Sequence, residues 1–259
     1  MRIARGDVIT FLEDDDMYSP VRLEIIADMF RRDPSLIYYH NNVLVINESN
    51  KSIYDNMIER TNIPRKIIAK NYREKLNIFK KYKWDLGLRL SAVAVKRNFV
   101  SRWTNVIKLF PDLVFVLIYL LAIVDEGTML HDPRRLTYYR VSETSASSIR
   151  FVEDPMERFT KAVRNAVRHT FARHMLVTIA RHLMLNNYIG YDEASVVGCI
   201  YGNCHKYLAK VITNLESYNS IICLGAIILG VIYLLNPAFA KRLIYLYYTR
   251  LFNLWGSRF

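Results

Sequence analysis

Four consecutive carboxylates near the start of the chain follow directly on a short apolar segment. The segment Asp7–Leu12 (DVITFL) is rich in apolar and β-branched residues and predicts a buried strand, and residues 13–16 (EDDD) come next. Like charges this close repel and raise one another's pKa unless a cation neutralises them. The pattern therefore predicts a turn at the end of a strand that either binds a cation or faces water as an ordinary acidic surface turn.

A divalent cation suits this segment by its ligand chemistry. Carboxylate oxygens are hard ligands of the kind that Mg²⁺ and Mn²⁺ prefer, and Mg²⁺ usually retains waters and bridges to substrate phosphates. The carboxyl end of a strand in an open α/β sheet is also where ligands bind. The acidic segment thus predicts an anchor for Mg²⁺ or Mn²⁺ and a diphosphate.

The rest of the first 150 residues alternates between strand and helix patterns. Residues 19–20 (SP) predict a capped helix start, Leu23, Ile26 and Phe30 follow at helical spacing, and the helix is expected to end near Arg32. Further elements are predicted as strands at Leu36–Asn47, Leu88–Lys96 and Leu136–Val141, and as a buried helix in the apolar run after Pro111. Beyond about Asp154 the pattern is helical throughout. This order predicts an α/β domain with a mixed sheet, followed by a helical region.

A basic segment lies inside this domain. Between Arg60 and Lys83 the chain carries nine basic residues and one acid, two-thirds of the net charge of +12. Apolar residues recur there at helical spacing and predict an amphipathic helix with a basic outer face; they are Ile68, Tyr72, Leu76 and Phe79. A solvated helix surface and a patch for anionic lipid or a phosphorylated acceptor both fit. Nucleic acid is not expected, because no RNA- or DNA-binding motif accompanies the charge.

The C-terminal part is apolar. Residues 217–240 pass without a charge, and as a helix they would extend about 36 Å, enough to cross a bilayer. The strongly apolar core, Ile221–Leu235, is shorter, about 22 Å. Aromatic and basic residues follow it, a combination typical of the membrane–water interface. Membrane association of this tail is the preferred interpretation, and a buried core helix followed by an amphipathic helix is the alternative.

The acidic segment and its neighbours resemble the family-2 glycosyltransferases of GT-A fold. The family pattern is A-x-G-[DE]-x-[IV]-x-[FL]-L-D-x-D-D-x-x-x-P, and residues 4–20 follow it in register, with Glu13 in place of its first Asp. The resemblance implies that Asp15 binds the metal and that Glu13 lies near the ribose or the metal. We accordingly expect Asp15 and Glu13 as metal ligands, Mg²⁺ or Mn²⁺ as the cofactor, and Glu13, Asp14 and Asp16 as residues that bind the donor substrate.

Two later segments extend the resemblance to about Ser148. The sequence FPDLVF is similar to the family's [ED]-D-x-x-[FL] element, which makes Asp112 the expected general base. The sequence LTYYRVSETSAS is similar to the closing element l-x-x-Y-R-v-H-x-x-x-x-S: Tyr139, Arg140 and Val141 match, and Ser142 replaces the His. For Asp112 alone, a helix N-terminal Asp placed for the helix dipole is the alternative.

The resemblance implies an inverting, metal-dependent glycosyltransferase. Its donor would be a nucleotide-diphosphate sugar and its acceptor a hydroxyl of a glycan or lipid-linked molecule, at the cytoplasmic face of the cell membrane. The family's nucleobase-binding strands, which precede the acidic motif, have no counterpart in the chain. We therefore expect a companion chain that supplies them or, as the alternative function, a non-catalytic membrane-associated fragment or partner subunit. The expected parts are a partial GT-A domain at 1–150, a helical region at 151–216 and a membrane-associated tail at 217–259.

Overall fold

A computed structural model describes residues 4–83, 85–87, 89–109, 114–142 and 220–245, with short segments and single residues between 154 and 211. The chain divides into two compact units, Met1–Ser145 and Ala146–Phe259. The first unit combines a sheet with helices, so the predicted mixed α/β class is confirmed. The acidic segment and the basic segment both lie in this first unit.

The described residues of the first unit form one six-stranded mixed sheet. Its strands are β1 (Val8–Thr10), β2 (Met17–Tyr18), β3 (Leu36–Ile46), β4 (Ile67–Ala69), β5 (Val93–Lys96) and β6 (Thr128–Arg140). Their order is β1-β5-β3-β6-β2, and β4 also pairs with β6. Only β3 and β6 pair in parallel, whereas the other neighbours are antiparallel. Strands β1, β3 and β6 therefore run in the same direction, and the chain leaves each of them toward the same edge of the sheet.

Helices flank this sheet. They are α1 (Arg22–Arg32), α2 (Asn56–Glu59), α3 (Tyr72–Tyr82), α4 (Arg97–Leu109) and α5 (Val114–Val124), with a 3₁₀ helix at Leu90–Ala92. Helix α5 is apolar around its whole circumference and is buried from Val116 to Ile123, as its uninterrupted apolar sequence predicts. Its burial supplies much of the core beneath the sheet.

Helix α1 begins later than predicted and turns a different face to the core. Ser19 does not cap it through its side chain; the Ser19 carbonyl accepts a hydrogen bond from the Arg22 N–H at 2.9 Å, in a turn that precedes the helix. Leu23 is 55% exposed, whereas Arg22, Ile26 and Phe30 are buried. The expected core position of Leu23 is wrong because the buried face passes through Arg22, whose polar partners lie on β3 and at the start of β5.

The basic segment forms a strand and then a helix, rather than one helix. Ile68 lies in β4, opposite Leu130 of β6, and α3 begins only at Tyr72. The basic outer face also has an exception, because Lys75 is buried and its Nζ donates to the carbonyls of Ala122 and Asp125, at 3.0 and 2.6 Å. This contact satisfies carbonyl groups at the C-terminal end of α5, a position that favours a cation.

Strand β6 is longer than the predicted Leu136–Val141. It begins at Thr128 and crosses a polar stretch that includes Pro133, which the periodicity of the sequence does not mark as strand. The register with β3 shifts there, from Asn41 opposite Asp132 to Asn42 opposite Arg135. A bulge accommodates a proline that a regular ladder would exclude. In contrast, β5 covers only the second half of the predicted Leu88–Lys96.

The described part of the second unit is mainly helical, as predicted. It includes α6 (Ser220–Leu235) and a further helical stretch at 237–245, separated by Asn236, whose Oδ1 accepts a hydrogen bond from the Phe239 N–H at 3.1 Å. Within the residues described here, none of the helices has both the length and the apolar character needed to cross a membrane.

Gly127, in the turn before β6, provides a test of this fold. Its φ is +108°, and a Cβ atom there would lie 2.6 Å from Ile37 Cγ2 and 2.7 Å from the Ser35 carbonyl oxygen. We expect Gly127→Ala to lower the free energy of unfolding by about 2 to 4 kcal/mol, through backbone strain and overpacking. Urea unfolding followed by circular dichroism measures this change. The neighbouring exposed residue supplies the control, since Glu126→Ala should change stability by less than about 0.5 kcal/mol.

Candidate functional site

The acidic turn, residues 13–16, lies where β1 ends. Its backbone is held from two sides: the Glu13 N–H donates to Ser91 Oγ at 2.9 Å, and the Asp16 N–H donates to the Glu13 carbonyl at 3.2 Å. The chain then enters β2, and the Tyr18 hydroxyl donates back to the Phe11 carbonyl. These contacts fix the turn at the edge where β3 and β6 also end.

Asp16 is the buried member of the acidic turn, whereas Glu13, Asp14 and Asp15 are exposed. Asp16 Oδ1 accepts a hydrogen bond from the Arg140 backbone N–H at 3.0 Å. Asp16 Oδ2 is also buried, and no described residue donates a hydrogen bond of good geometry to it, although the Ser91 hydroxyl lies near enough to the carboxyl group to lower its pKa. A buried carboxylate oxygen without a donor is the kind of group that a cation would satisfy.

The Arg140 side chain joins the acidic turn to the turn that follows β3. Its Nε donates to the Asp15 carbonyl at 2.7 Å, Nη1 donates to the Asn47 carbonyl at 2.8 Å, and Nη2 donates to Asn50 Oδ1 at 2.7 Å. Since these contacts go to carbonyl and amide oxygens, the guanidinium orients the turn without occupying its carboxylates.

Burial and mutual repulsion disfavour the ionised form of two of these carboxyl groups. Although the Glu13 residue is exposed, its carboxyl group is partly desolvated by the turn, and this desolvation and then the charges of Asp16 and Asp15 raise its pKa above the usual value. Burial also raises the pKa of Asp16, although the Arg140 N–H, Ser91 and the Arg89 charge act in the opposite direction. A cation bound to the turn would relieve both effects.

A buried polar chain supports the turn from inside the domain. Arg22 Nε donates to Asn41 Oδ1 at 3.1 Å, and Asn41 Nδ2 donates to Thr137 Oγ1 at 3.0 Å. Thr137 Oγ1 in turn donates to the Ser91 carbonyl at 3.2 Å, and Ser91 Oγ receives the Glu13 N–H. The position of the acidic turn therefore depends on side chains from α1, β3 and β6.

Arg89 is a residue of the site that the sequence did not single out. Its Nη1 donates to Thr61 Oγ1 at 2.8 Å, and its guanidinium lies 5.2 Å from the centre of the Tyr139 ring. Its backbone has a φ of +63°, in the left-handed region. The charge of Arg89 lowers the pKa of Asp16 and that of Asp85, which burial nevertheless raises to about 6. No motif marks Arg89, and only the fold brings its charge near Asp16.

The structure brings together most of the residues expected from the sequence. Glu13, Asp14, Asp15 and Asp16 share one turn, and Tyr139 and Arg140 of the closing element lie beside it. Asp112, the expected general base, lies outside the described residues.

The turn fits a divalent cation by the chemistry of its donors. Its carboxylate oxygens are hard ligands, and the buried Asp16 Oδ2 lacks a donor among the described residues. Within that part of the chain, no three His, Cys, Asp or Glu side chains are grouped so that they could hold a metal ion. A Mg²⁺ site commonly uses only one or two protein carboxylates, and waters and substrate phosphates supply the other ligands.

In comparisons with known proteins, no protein-family model and no curated protein matches the chain.

The pH dependence of stability tests the burial of Asp16. Its folded-state pKa lies above the usual 3.8, so ionisation costs more in the folded than in the unfolded chain. The contribution of Asp16 to the stability of the wild type should therefore fall as the pH rises from below 3.8 through the folded-state pKa. Asp16→Asn removes this loss, and without divalent cations it should be more stable than the wild type near neutral pH.

Urea unfolding at pH 3 and pH 7 measures this difference. The stability difference between the variant and the wild type should shrink toward zero at pH 3, because the wild-type carboxyl group is then protonated and neutral, like the Asn side chain. Asp14→Asn, which removes an exposed carboxylate of the same turn, is the matched control. A variant Asp16→Asn that is equally or less stable than the wild type at pH 7 would contradict the burial of a charged Asp16.

Proposed function

We propose that the chain is a family-2-like glycosyltransferase of GT-A type. It transfers a sugar from a nucleotide-diphosphate donor to a hydroxyl of a glycan or lipid-linked acceptor, with inversion at the anomeric carbon. The observation that carries the proposal is the acidic turn. Residues 4–20 match the family's pattern in register except at Glu13, and the turn lies where three parallel-running strands end, with a buried, unsatisfied carboxylate oxygen among the described residues.

The acidic turn would serve the donor. Asp15, with Glu13 or Asp16, would hold Mg²⁺ or Mn²⁺, and Glu13, Asp14 and Asp16 would contact the donor substrate. When bound, such an ion offsets negative charge on the leaving diphosphate. The contacts of Ser91 and Arg140 with the turn keep its backbone fixed, so that little reorganisation is needed when the donor binds.

The transfer itself needs one base. Asp112, by its match to the family motif, would accept the proton of the acceptor hydroxyl as that oxygen attacks the anomeric carbon. The bond between this carbon and the diphosphate oxygen breaks in the same displacement, and the nucleotide diphosphate leaves with the electron pair. A single displacement inverts the anomeric carbon and uses no covalent nucleophile.

The C-terminal tail would attach the enzyme to the cytoplasmic face of the membrane. Along α6 and the helical stretch after it, Ile228, Val231, Leu235 and Phe239 recur at helical spacing and are all exposed, with Leu235 at 81%. The exposed cations Lys241 and Arg242 follow. An exposed apolar stripe that ends in cations suits a helix lying in the membrane interface.

Metal-dependent binding of the donor is the first test of the transferase. Titration of nucleotide-diphosphate sugars into the purified full chain, with and without Mn²⁺, should show binding that requires the metal. Asp15→Ala should weaken it at least tenfold, because the remaining acids of the turn cannot replace the expected metal ligand. Glu24→Ala is the control, since Glu24 is an exposed acid of α1, and it should bind as the wild type does.

Three outcomes have different meanings. Metal-dependent binding that is lost only in Asp15→Ala supports the transferase. Metal-independent binding, equal in both variants, overturns the role of the acidic turn. Absence of binding by every protein favours the alternative, a non-catalytic fragment or partner subunit, and the companion chain would then be the object of the search.

The tail is tested by replacing its exposed stripe with charge. Leu235→Asp combined with Phe239→Asp should reduce sedimentation of the full chain with neutral phosphatidylcholine vesicles at least tenfold, because carboxylates at these positions oppose insertion between lipids. Met156→Asp, at a position that is 55% exposed in the second unit, is the control and should leave sedimentation unchanged. Equal sedimentation of both proteins would refute the tail as the anchor.

A further inference from the structure

A groove between β4 and α3 lies apart from the acidic turn. It has a volume of about 350 Å³, within the range of ligand-binding clefts, and we call it the β4–α3 groove. Arg65, Lys66 and Lys81 line it as cations, and Ile68 and Ile78 line it as apolar residues. Its composition therefore combines positive charge with exposed hydrocarbon.

No acid among the described residues neutralises the three cations of the groove. Among the described residues, none places a carboxylate within ion-pair distance of Arg65, Lys66 or Lys81. The only acid of the basic segment, Glu74, is engaged elsewhere: it accepts hydrogen bonds from the Lys70 N–H and from Asn71 Nδ2, both at 2.7 Å. The groove thus presents a positive potential to solvent.

Hydrocarbon is exposed at the same place. Ile68 of β4 is 46% exposed, although its strand neighbour Ala69 is fully buried, and Tyr72 at the start of α3 is 45% exposed. A soluble phosphate compound would use the cations and leave these side chains in water. A phospholipid surface would use both, because phosphate groups lie directly above the first acyl carbons.

The β4–α3 groove and the acidic turn lie at different positions along β6. Strand β4 pairs with Leu130 near the start of β6, whereas β2, which follows the acidic turn, pairs with Tyr138 near the end of β6. Their partners on β3, Tyr39 and Leu44, are five residues apart, roughly 17 Å along the strand. A molecule in the groove would therefore lie away from the reacting atoms of the proposed transferase. Its role would be to dock the first unit rather than to react.

We propose that the β4–α3 groove docks the first unit onto a bilayer surface of anionic phospholipid. The phosphate groups lie against Arg65, Lys66 and Lys81, and Ile68 contacts the acyl boundary. This contact depends on lipid charge, which distinguishes it from the apolar stripe of the tail. It does not require the chain to be a glycosyltransferase.

Charge-matched variants of the full chain test the proposal. The groove variant carries Arg65→Gln, Lys66→Gln and Lys81→Gln. The control carries Arg5→Gln, Arg31→Gln and Lys51→Gln, which removes the same net charge from exposed positions elsewhere in the first unit. Co-sedimentation is measured with neutral phosphatidylcholine vesicles and with vesicles containing 30% phosphatidylserine.

The groove variant should bind the anionic vesicles roughly a hundredfold more weakly than the control, at about fivefold per cation. Both proteins should bind the neutral vesicles equally, because the tail is unchanged. Equal binding of the two variants to anionic vesicles would overturn the proposal. So would full competition by 1 mM inorganic phosphate or by a single-stranded RNA, which would assign the cations to a soluble phosphate compound or to nucleic acid.

A neutral substitution tests the apolar part of the contact separately. Ile68→Ser leaves the charge of the groove intact and should weaken binding to anionic vesicles several-fold. Leu23→Ser, at a similarly exposed position of α1, is its control and should bind as the wild type does. If both variants bind anionic vesicles as the wild type does, Ile68 is not part of the contact, and insertion into the acyl boundary is overturned. Because metal-dependent donor binding is measured independently, failure of the groove and failure of the transferase are distinguishable.

Discussion

The parallel pairing of β3 with β6 is the contact on which the position of the acidic turn depends. The two strands stay paired from Leu36 opposite Thr128 to Ile46 opposite Arg140. This register brings Arg140 to the edge where β1 ends, so that its backbone reaches Asp16 and its guanidinium reaches the Asp15 carbonyl. A slip of one residue would exchange the two faces of β3 and move Asn41 away from its partners Arg22 and Thr137, so it is strongly disfavoured.

The acidic turn is held by groups that leave its carboxylate charges largely uncompensated. The Arg140 guanidinium donates to carbonyl and amide oxygens, and the Ser91 hydroxyl accepts from a backbone N–H. A guanidinium bound bidentately to the carboxylates would be a strong competitor for any metal ion. The Arg140 guanidinium instead donates to backbone carbonyls and so fixes the shape of the turn. It leaves the carboxylates available to bind a cation. This division of roles supports the proposed metal anchor.

Elements governed by local pattern could be predicted from the sequence, whereas those governed by long-range contact could not. The apolar runs of β1, β3 and α5 marked their positions, and the acidic turn was evident from charge alone. Burial of Lys75 could not be predicted, because its partners are carbonyls some fifty residues away. The first half of β6 was missed because a bulge, invisible in the sequence, accommodates Pro133. The role of Arg89 likewise depends on contacts that only the fold creates.

The spacing of β3 and β6 along the chain also sets a time order for synthesis on the ribosome. About ninety residues separate Leu36 from Thr128, and at 5 to 20 residues per second the ribosome needs roughly 5 to 20 seconds to add them. During this interval β3, a strand that is buried along almost its whole length in the folded protein, has been made but its parallel partner has not. The nascent chain is therefore exposed to premature association at this strand, and chaperones that shield extended apolar segments would have their largest effect in this window.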